Sequence, residues 1–111
     1  MGNQTPQQCI ALGKAALVSV GGSHVALIFV DGNRVIVKVP TSLAAQNESV
    51  KPFEETLSDG NGCPRSVSFP LPWCAGLTIR IEINGPGTHF EIQAAQIKVA
   101  STDPDESNAW T

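Results

Sequence analysis

The clearest feature of the chain is a pair of strand-like segments, residues 24–30 and 34–39, that flank Asp31-Gly32-Asn33. Both segments are rich in β-branched residues, and a glycine beside Asp or Asn between two such segments is a strong signal for a β-hairpin. Residues 14–20 have a similar composition, and Gly21-Gly22 provides a second two-residue turn because glycine adopts a positive φ without steric cost. The pattern therefore predicts a three-stranded antiparallel meander.

Both faces of this meander are apolar, whereas an antiparallel sheet with one solvated face alternates apolar and polar residues. We expect Ser19 to pair with His24 and Leu17 with Ala26, and this register fixes the face of every residue. One face, the predicted core, then carries Ala15, Leu17, Ala26, Ile28, Val30, Val35, Val37 and Val39. The other face carries Val18, Val20, Val25, Leu27, Phe29 and Ile36, interrupted by Arg34 and Lys38.

The second apolar face has two explanations. Residues 40–77 of the same chain can cover it, or it can be an interface, because large contiguous apolar patches are uncommon on the surface of monomers. The interface explanation predicts a homo-oligomer. It assigns self-association to Val18, Val20, Val25, Leu27, Phe29 and Ile36.

A second hairpin is predicted from residues 78–83 and 88–93, which flank the loop Asn84-Gly85-Pro86-Gly87. Apolar and polar residues alternate strictly here, as expected for strands with one buried face. A four-residue loop places Glu82 opposite His89 and Arg80 opposite Glu91, which predicts two cross-strand charge pairs. The predicted core residues are Ile79, Ile81, Ile83, Phe90 and Ile92, and the predicted outward residues are Thr78, Arg80, Glu82, His89, Glu91 and Gln93.

The remaining segments carry weaker signals. We expect one short helix in residues 41–49, with Thr41 or Ser42 as its N-cap, and a short strand in residues 51–57. Three prolines, at positions 64, 70 and 72, restrict residues 64–73 to an edge strand or an extended surface segment. After residue 93 the apolar positions change from even to odd numbers, which indicates a β-bulge or a strand that bends between sheets.

These elements predict a single all-β domain over residues 1–111. The expected fold is a small antiparallel β-sandwich or partly open β-barrel of about six to seven strands, with at most one short helix. Residues 1–9 are predicted to be a loose polar lead and residues 10–100 the β core. Residues 101–111 are predicted to be a flexible acidic tail in which Trp110 is not anchored.

The charge and the cysteine content exclude or disfavour several classes of protein. The chain has 7 basic and 10 acidic residues and a net charge of −3, and the scattered basic residues argue against nucleic-acid binding. The N-terminal residues lack a signal-peptide pattern, and the apolar stretch 15–30 is too short to span a membrane, so a cytoplasmic location is predicted. The 3 cysteines predict reduced thiols, with a bridge between Cys63 and Cys74 as the alternative.

The second hairpin contains the best candidate for catalysis. His89, Glu82 and Arg80 are predicted on one face, and a histidine beside carboxylates can act as a general base. The alternative is a solvated face whose charge pairs oppose aggregation. Cys74 with His89 and Glu82 is a further nucleophilic set of the kind that arises by chance.

Two further residues are candidates for ligand binding. Trp73 lies in the proline-rich segment, where an exposed ring can stack on a sugar or a peptide, and Glu91 lies on the outward face of the second hairpin. The alternative for Trp73 is that its ring closes one end of the core. His24 is predicted to lie at the rim of a site or to form a hydrogen bond with Ser19.

No metal site or cofactor is predicted. Cys63 and Cys74 are too far apart for the short cysteine knuckle of zinc sites. Residues 59–62 begin like a calcium loop, but Cys63 occupies the position of the third ligand.

The sequence favours a non-catalytic binding or assembly module that self-associates through its apolar sheet face, with a carbohydrate or a protein as its ligand. One alternative is a small oligomeric enzyme with its site on the hairpin of residues 78–93. Another is a structural subunit of a larger assembly.

Overall fold

The computed structural model describes residues 7–58, 65–74, 76–83, 89–93, 97–104 and 110. Within these residues there are nine β-strands, one α-helix and one 3₁₀ turn. The strands are β1 (Gln7–Ala11), β2 (Ala15–Val20), β3 (Ser23–Asp31), β4 (Arg34–Lys38), β5 (Phe53–Thr56), β6 (Arg65–Leu71), β7 (Leu77–Ile83), β8 (His89–Gln93) and β9 (Lys98–Thr102). The helix α1 spans Thr41–Gln46 and the 3₁₀ turn spans Pro72–Cys74.

The strands form two antiparallel sheets. The order is β1-β8-β7-β6 in the four-stranded sheet and β5-β4-β3-β2-β9 in the five-stranded sheet. Neither sheet closes into a barrel, so the predicted all-β class is confirmed in its sandwich form. The strand count of six to seven was too low. One reason is that β1 begins at Gln7, inside the predicted lead, because pairing with β8 makes a strand of a segment with little strand pattern of its own.

The core lies between the sheets, since its main cluster of buried apolar side chains draws on both. The core prediction for the second hairpin is confirmed, because Ile79, Ile81, Ile83, Phe90 and Ile92 are all buried. From the five-stranded sheet, the cluster includes Ala26, Ile28, Val35 and Val37. Phe53 of β5 and Phe69 of β6 meet edge to face with ring centroids 5.3 Å apart.

The predicted meander β2-β3-β4 is confirmed, but β3 contains a β-bulge. Ser19 pairs with His24 as predicted, whereas Leu17 pairs with Leu27 and not with Ala26. Val25 is the extra residue, because it lies between the paired residues His24 and Ala26. A one-residue shift of register exchanges the two faces of a strand.

The face predictions were therefore wrong for the whole of β2 and for Val25 of β3. Val18 and Val25 belong to the core between the sheets, and Val20 packs against that core. Ala15 and Leu17, which were predicted to face the core, are outside its main cluster. They share the outer face with Leu27, with which Leu17 is paired.

The turn between β3 and β4 consists of Gly32 and Asn33, because Asp31 pairs with Arg34. Gly32 has a φ of +66°, in the left-handed region that a two-residue hairpin turn requires. The predicted relation between the faces of β3 and β4 is confirmed, with Ile28 opposite Val37.

The register predicted for the second hairpin was wrong by two residues. Glu82 pairs with Glu91, and Arg80 pairs with Gln93, so the residues of the two predicted pairs are not directly opposite each other. A shift of two residues preserves the face of each side chain. The predicted register was therefore wrong, but the predicted division of the described side chains into core and outward residues was correct.

The chain passes from one sheet to the other three times, after β1, after β5 and after β8. β1 and β8 pair in the four-stranded sheet, whereas β2 and β9, which follow them, pair in the five-stranded sheet. β8 and β9 thus lie in different sheets. Residues 94–96, where the bulge or bend was predicted, lie outside the described residues. β9 extends through Thr102, past the predicted end of the core at residue 100.

The proline-rich segment is an edge strand, as predicted, because β6 lies at the end of the four-stranded sheet. The strand and the helix predicted on either side of residue 50 are also present as β5 and α1. The N-cap of α1 is Pro40, with no capping side-chain hydrogen bond, so the predicted caps Thr41 and Ser42 were wrong. No helix among the described residues has the length and apolar content needed to cross a membrane.

Candidate functional sites on the outer faces

The residues predicted as catalytic share the outer face of the four-stranded sheet. Arg80 and Glu82 of β7 form an ion pair, with 2.9 Å between Arg80 Nη2 and Glu82 Oε2. The Arg80 side chain is 52% exposed and that of Glu82 is 14% exposed, so the carboxylate is largely shielded and the guanidinium is not. Glu91 is half-buried and His89 is exposed. The sheet thus provides a polar, charged surface.

This face also contains two residues that sequence analysis did not select. The pairing places Ser66, Glu82, Glu91 and Cys9 in one row across β6, β7, β8 and β1. Cys9 is an exposed free thiol. Its neighbourhood could not be predicted, because β1 has no strand signal of its own and joins the sheet through β8.

The nucleophilic set of Cys74, His89 and Glu82 is not brought together. Cys74 lies in the 3₁₀ turn, where its thiol is free and packs in the core between the sheets. Burial raises the pKa of the Cys74 thiol, so the thiol stays protonated at neutral pH and is a poor nucleophile. His89 and Glu82 lie on the opposite side of the four-stranded sheet from that core.

No group of three or more His, Cys, Asp or Glu side chains in the described part of the chain is placed to hold a metal ion. Cys63 and the turn of residues 59–62 lie outside the described residues. The predicted alternative of a bridge between Cys63 and Cys74 was wrong, because the Cys74 thiol is free.

Trp73 contacts both the core and the backbone of the five-stranded sheet. The half-buried ring packs against the core, and the indole Nε1–H donates a hydrogen bond of 3.1 Å to the carbonyl oxygen of Val25. Val25 is the extra residue of the bulge in β3. The ring therefore connects the 3₁₀ turn that follows β6 to the five-stranded sheet, and it closes one end of the core.

The outer face of the five-stranded sheet carries the rest of the predicted interface. Leu27 is buried, with 1% exposure, whereas Phe29 and Ile36 are half-buried and directly opposite each other on β3 and β4. We call Leu27, Phe29 and Ile36 the outer strip. Lys38 places its ammonium group 5.6 Å from the centre of the Phe29 ring.

A groove of about 320 Å³ adjoins the outer strip. Ile36 and Lys38 form one side, and Pro52 and Glu54 form the other. Glu54 also forms an ion pair with Arg34, with 3.0 Å between Arg34 Nη1 and Glu54 Oε2. Charged side chains thus border the apolar strip.

A second groove, of about 340 Å³, lies at the corner where β1 and β9 meet. We call it the corner groove. In it, the hydroxyl of Ser19 and Nδ1 of His24 are 3.0 Å apart, so the hydrogen bond predicted between these residues is present. Its lining includes Gln8, Leu17, Ser19, His24, Lys98 and Ala100.

Trp110 lies near His24, which is one of the residues that line this groove. It forms an isolated antiparallel bridge with Pro40, and its ring lies 6.5 Å from the His24 imidazole with a tilt of 46°. Asp103, nearer the end of β9, pairs with Lys14 at 2.7 Å. These contacts attach described parts of residues 101–111 to the five-stranded sheet, so the prediction that Trp110 is not anchored was wrong. The predicted flexibility of that segment stays a prediction.

Comparisons with protein-family models, with curated proteins and with solved structures find no match to this chain.

Proposed function

We propose that this protein is a non-catalytic assembly module that associates with a second copy of itself through the outer strip. The observation that carries the proposal is the pair formed by Phe29 and Ile36. These two large apolar side chains lie side by side on central strands of the five-stranded sheet, and both are only half-buried in the single chain. A second copy would bury the surface that they leave open, and burial of apolar surface is the main driving force of association.

The surroundings of the outer strip support the same proposal. Lys38 lies over the Phe29 ring, and the ion pair of Arg34 and Glu54 borders Ile36. An apolar centre with a charged rim is typical of protein interfaces. Because the rim contains both signs of charge, two copies related by a two-fold axis can place opposite charges against each other.

The shape of the molecule suits an interface of this kind. The principal dimensions are 42 × 35 × 21 Å, so the sandwich has two broad faces and a short axis. A stable interface needs roughly 800 Å² from each partner, which a broad face of these dimensions can supply.

The solution mass of the protein tests this proposal. We expect a dimer by size-exclusion chromatography with light scattering at two protein concentrations about tenfold apart. Phe29→Lys places a charge in the centre of the interface and should give a monomer. Thr78→Lys is the matched control, because Thr78 is exposed on β7, in the other sheet of the sandwich.

Circular dichroism of both variants verifies that they remain folded. A monomer for the unsubstituted chain at both concentrations contradicts the proposal. A mass that grows continuously with concentration contradicts a closed dimer and supports a subunit of a larger assembly.

A further inference from the structure

We propose that the corner groove binds a small organic anion, a carboxylate or phosphate monoester attached to a ring. This inference concerns a different site from the outer strip and does not depend on self-association. It rests on a row of polar side chains, an apolar floor and an aromatic ring that meet at one place.

The polar row crosses three strands. Lys98 of β9 pairs with Ser19 of β2, and Ser19 pairs with His24 of β3. With a neutral imidazole, the hydrogen bond between the Ser19 hydroxyl and His24 Nδ1 uses one of the two N–H and O–H donors in either tautomer. The second donor can bind a ligand. That donor is His24 Nε2–H if the hydroxyl donates, and it is the Ser19 hydroxyl if Nδ1–H donates. A lysine ammonium and a neutral donor on neighbouring strands suit an anionic oxygen group.

The charge of the groove is opposite to that of the chain as a whole. The net charge is −3, yet the described lining of the groove contains Lys98 and His24 and no carboxylate. Three other basic residues pair with carboxylates: Lys14 with Asp103, Arg34 with Glu54 and Arg80 with Glu82. Among the described residues no carboxylate lies within ion-pair distance of Lys98, so its charge is available to a ligand.

The corner groove also offers an apolar surface for the ring of such a ligand. Leu17 and Ala100 are directly opposite each other on β2 and β9, and both line the groove. The Trp110 ring lies 6.5 Å from the His24 imidazole, where it can contact a ring of the ligand. The volume of about 340 Å³ is at the small end of the range for ligand sites, roughly 300–1,000 Å³. It suits a single substituted ring.

The test is a titration followed by ¹H–¹⁵N NMR, with phenyl phosphate and benzoate as anionic probes and benzyl alcohol as the neutral probe. We expect saturable shifts of the amide signals of residues 17–24 and 98–100 with at least one anion. Phenyl phosphate and benzoate distinguish the two anionic groups. Benzyl alcohol should bind at least about tenfold more weakly, because it lacks the charge-assisted hydrogen bonds.

Two lysine variants decide whether the corner groove is the site. Lys98→Gln should weaken binding of the anion about tenfold, whereas Lys51→Gln, the same change on an exposed lysine before β5, should leave it unchanged. The inference is overturned if neither anion gives saturable shifts, or if Lys98→Gln and Lys51→Gln bind equally well. Repeating the titration with Phe29→Lys separates this result from any effect of self-association.

Discussion

At the scale of single residues, Trp73 and Val25 show how one side chain compensates for an irregularity elsewhere. The extra residue of a β-bulge is left out of the hydrogen-bond ladder. The carbonyl oxygen of Val25 instead accepts the indole N–H of Trp73 from the other side of the sandwich. The carbonyl oxygen of the bulge residue therefore has a partner, whereas an unsatisfied buried carbonyl is costly.

Trp73→Phe isolates this hydrogen bond because it keeps an aromatic ring and removes the N–H donor. We expect the free energy of unfolding in urea to fall by about 1–3 kcal/mol, the cost of leaving the Val25 carbonyl unsatisfied. Trp110→Phe is the control, since the described contacts of Trp110 involve its ring and its backbone. Equal losses for the two variants would show that the Trp73 hydrogen bond adds nothing to stability.

At the scale of elements, the turn between β2 and β3 depends on two glycines with positive φ, +58° at Gly21 and +86° at Gly22. Nothing lies within 4 Å of a Cβ atom built at either position, so backbone strain and not crowding limits substitution. We expect Gly22→Ala to lower the free energy of unfolding by about 1 kcal/mol or more.

The matched control for that change is Gly21→Asn. Asparagine is the side chain that most readily adopts the left-handed conformation near +57°, so this variant should unfold at nearly the same temperature as the unsubstituted chain. Thermal unfolding followed by circular dichroism measures both. A larger loss for Gly21→Asn than for Gly22→Ala would contradict this account of the turn.

The elements that could be predicted from the sequence are those specified by neighbouring residues. Both hairpins, the edge strand with Pro70 and the helix α1 have local signals, and all are present. The bulge at Val25 could not be predicted, because β3 is apolar on both faces and gives no pattern to fix its register. The strand β1 could not be predicted either, since it depends on β8, which is distant in the chain.

The candidate sites show the same difference between local patterns, which can be predicted, and pairing of distant strands, which cannot. The shared face of Arg80, Glu82, His89 and Glu91 was predictable, because alternation along two adjoining strands is a local property. Lys98 enters the corner groove only through the pairing of β9 with β2, so no local pattern places it beside His24.

At the scale of the whole molecule, backbone hydrogen bonds between Ser58 and Ser66 help to join the two sheets along one side. Ser58, two residues after β5, and Ser66 of β6 exchange two backbone hydrogen bonds of 2.9 and 3.1 Å. The backbone N–H and C=O of Ser66 therefore both point away from β7 and toward Ser58. In an antiparallel strand the residues two and four positions further on point the same way, and one of them is Pro70, which has no N–H to donate.

This geometry predicts different effects for two proline substitutions in the same strand. Ser66→Pro removes a donor to Ser58 and should lower the free energy of unfolding by about 1 kcal/mol or more. Ser68→Pro removes an N–H that points toward the open edge of the sheet and should cost less. Urea unfolding compares the two variants, and equal losses would mean that the link between Ser58 and Ser66 does not stabilise the sandwich.

The pairing of the earliest strands with the latest has a consequence for the order of folding. Cys9 is opposite Glu91, and Leu17 is opposite Ala100. On a ribosome, β1 and β2 are made first, but β8 and β9 are made last. The meander β2-β3-β4 can form early from local contacts, whereas closure of the sandwich must wait for β8 and β9. We therefore expect the native fold to be reached only after β8 and β9 have been made, by a slow step in which they pair with β1 and β2.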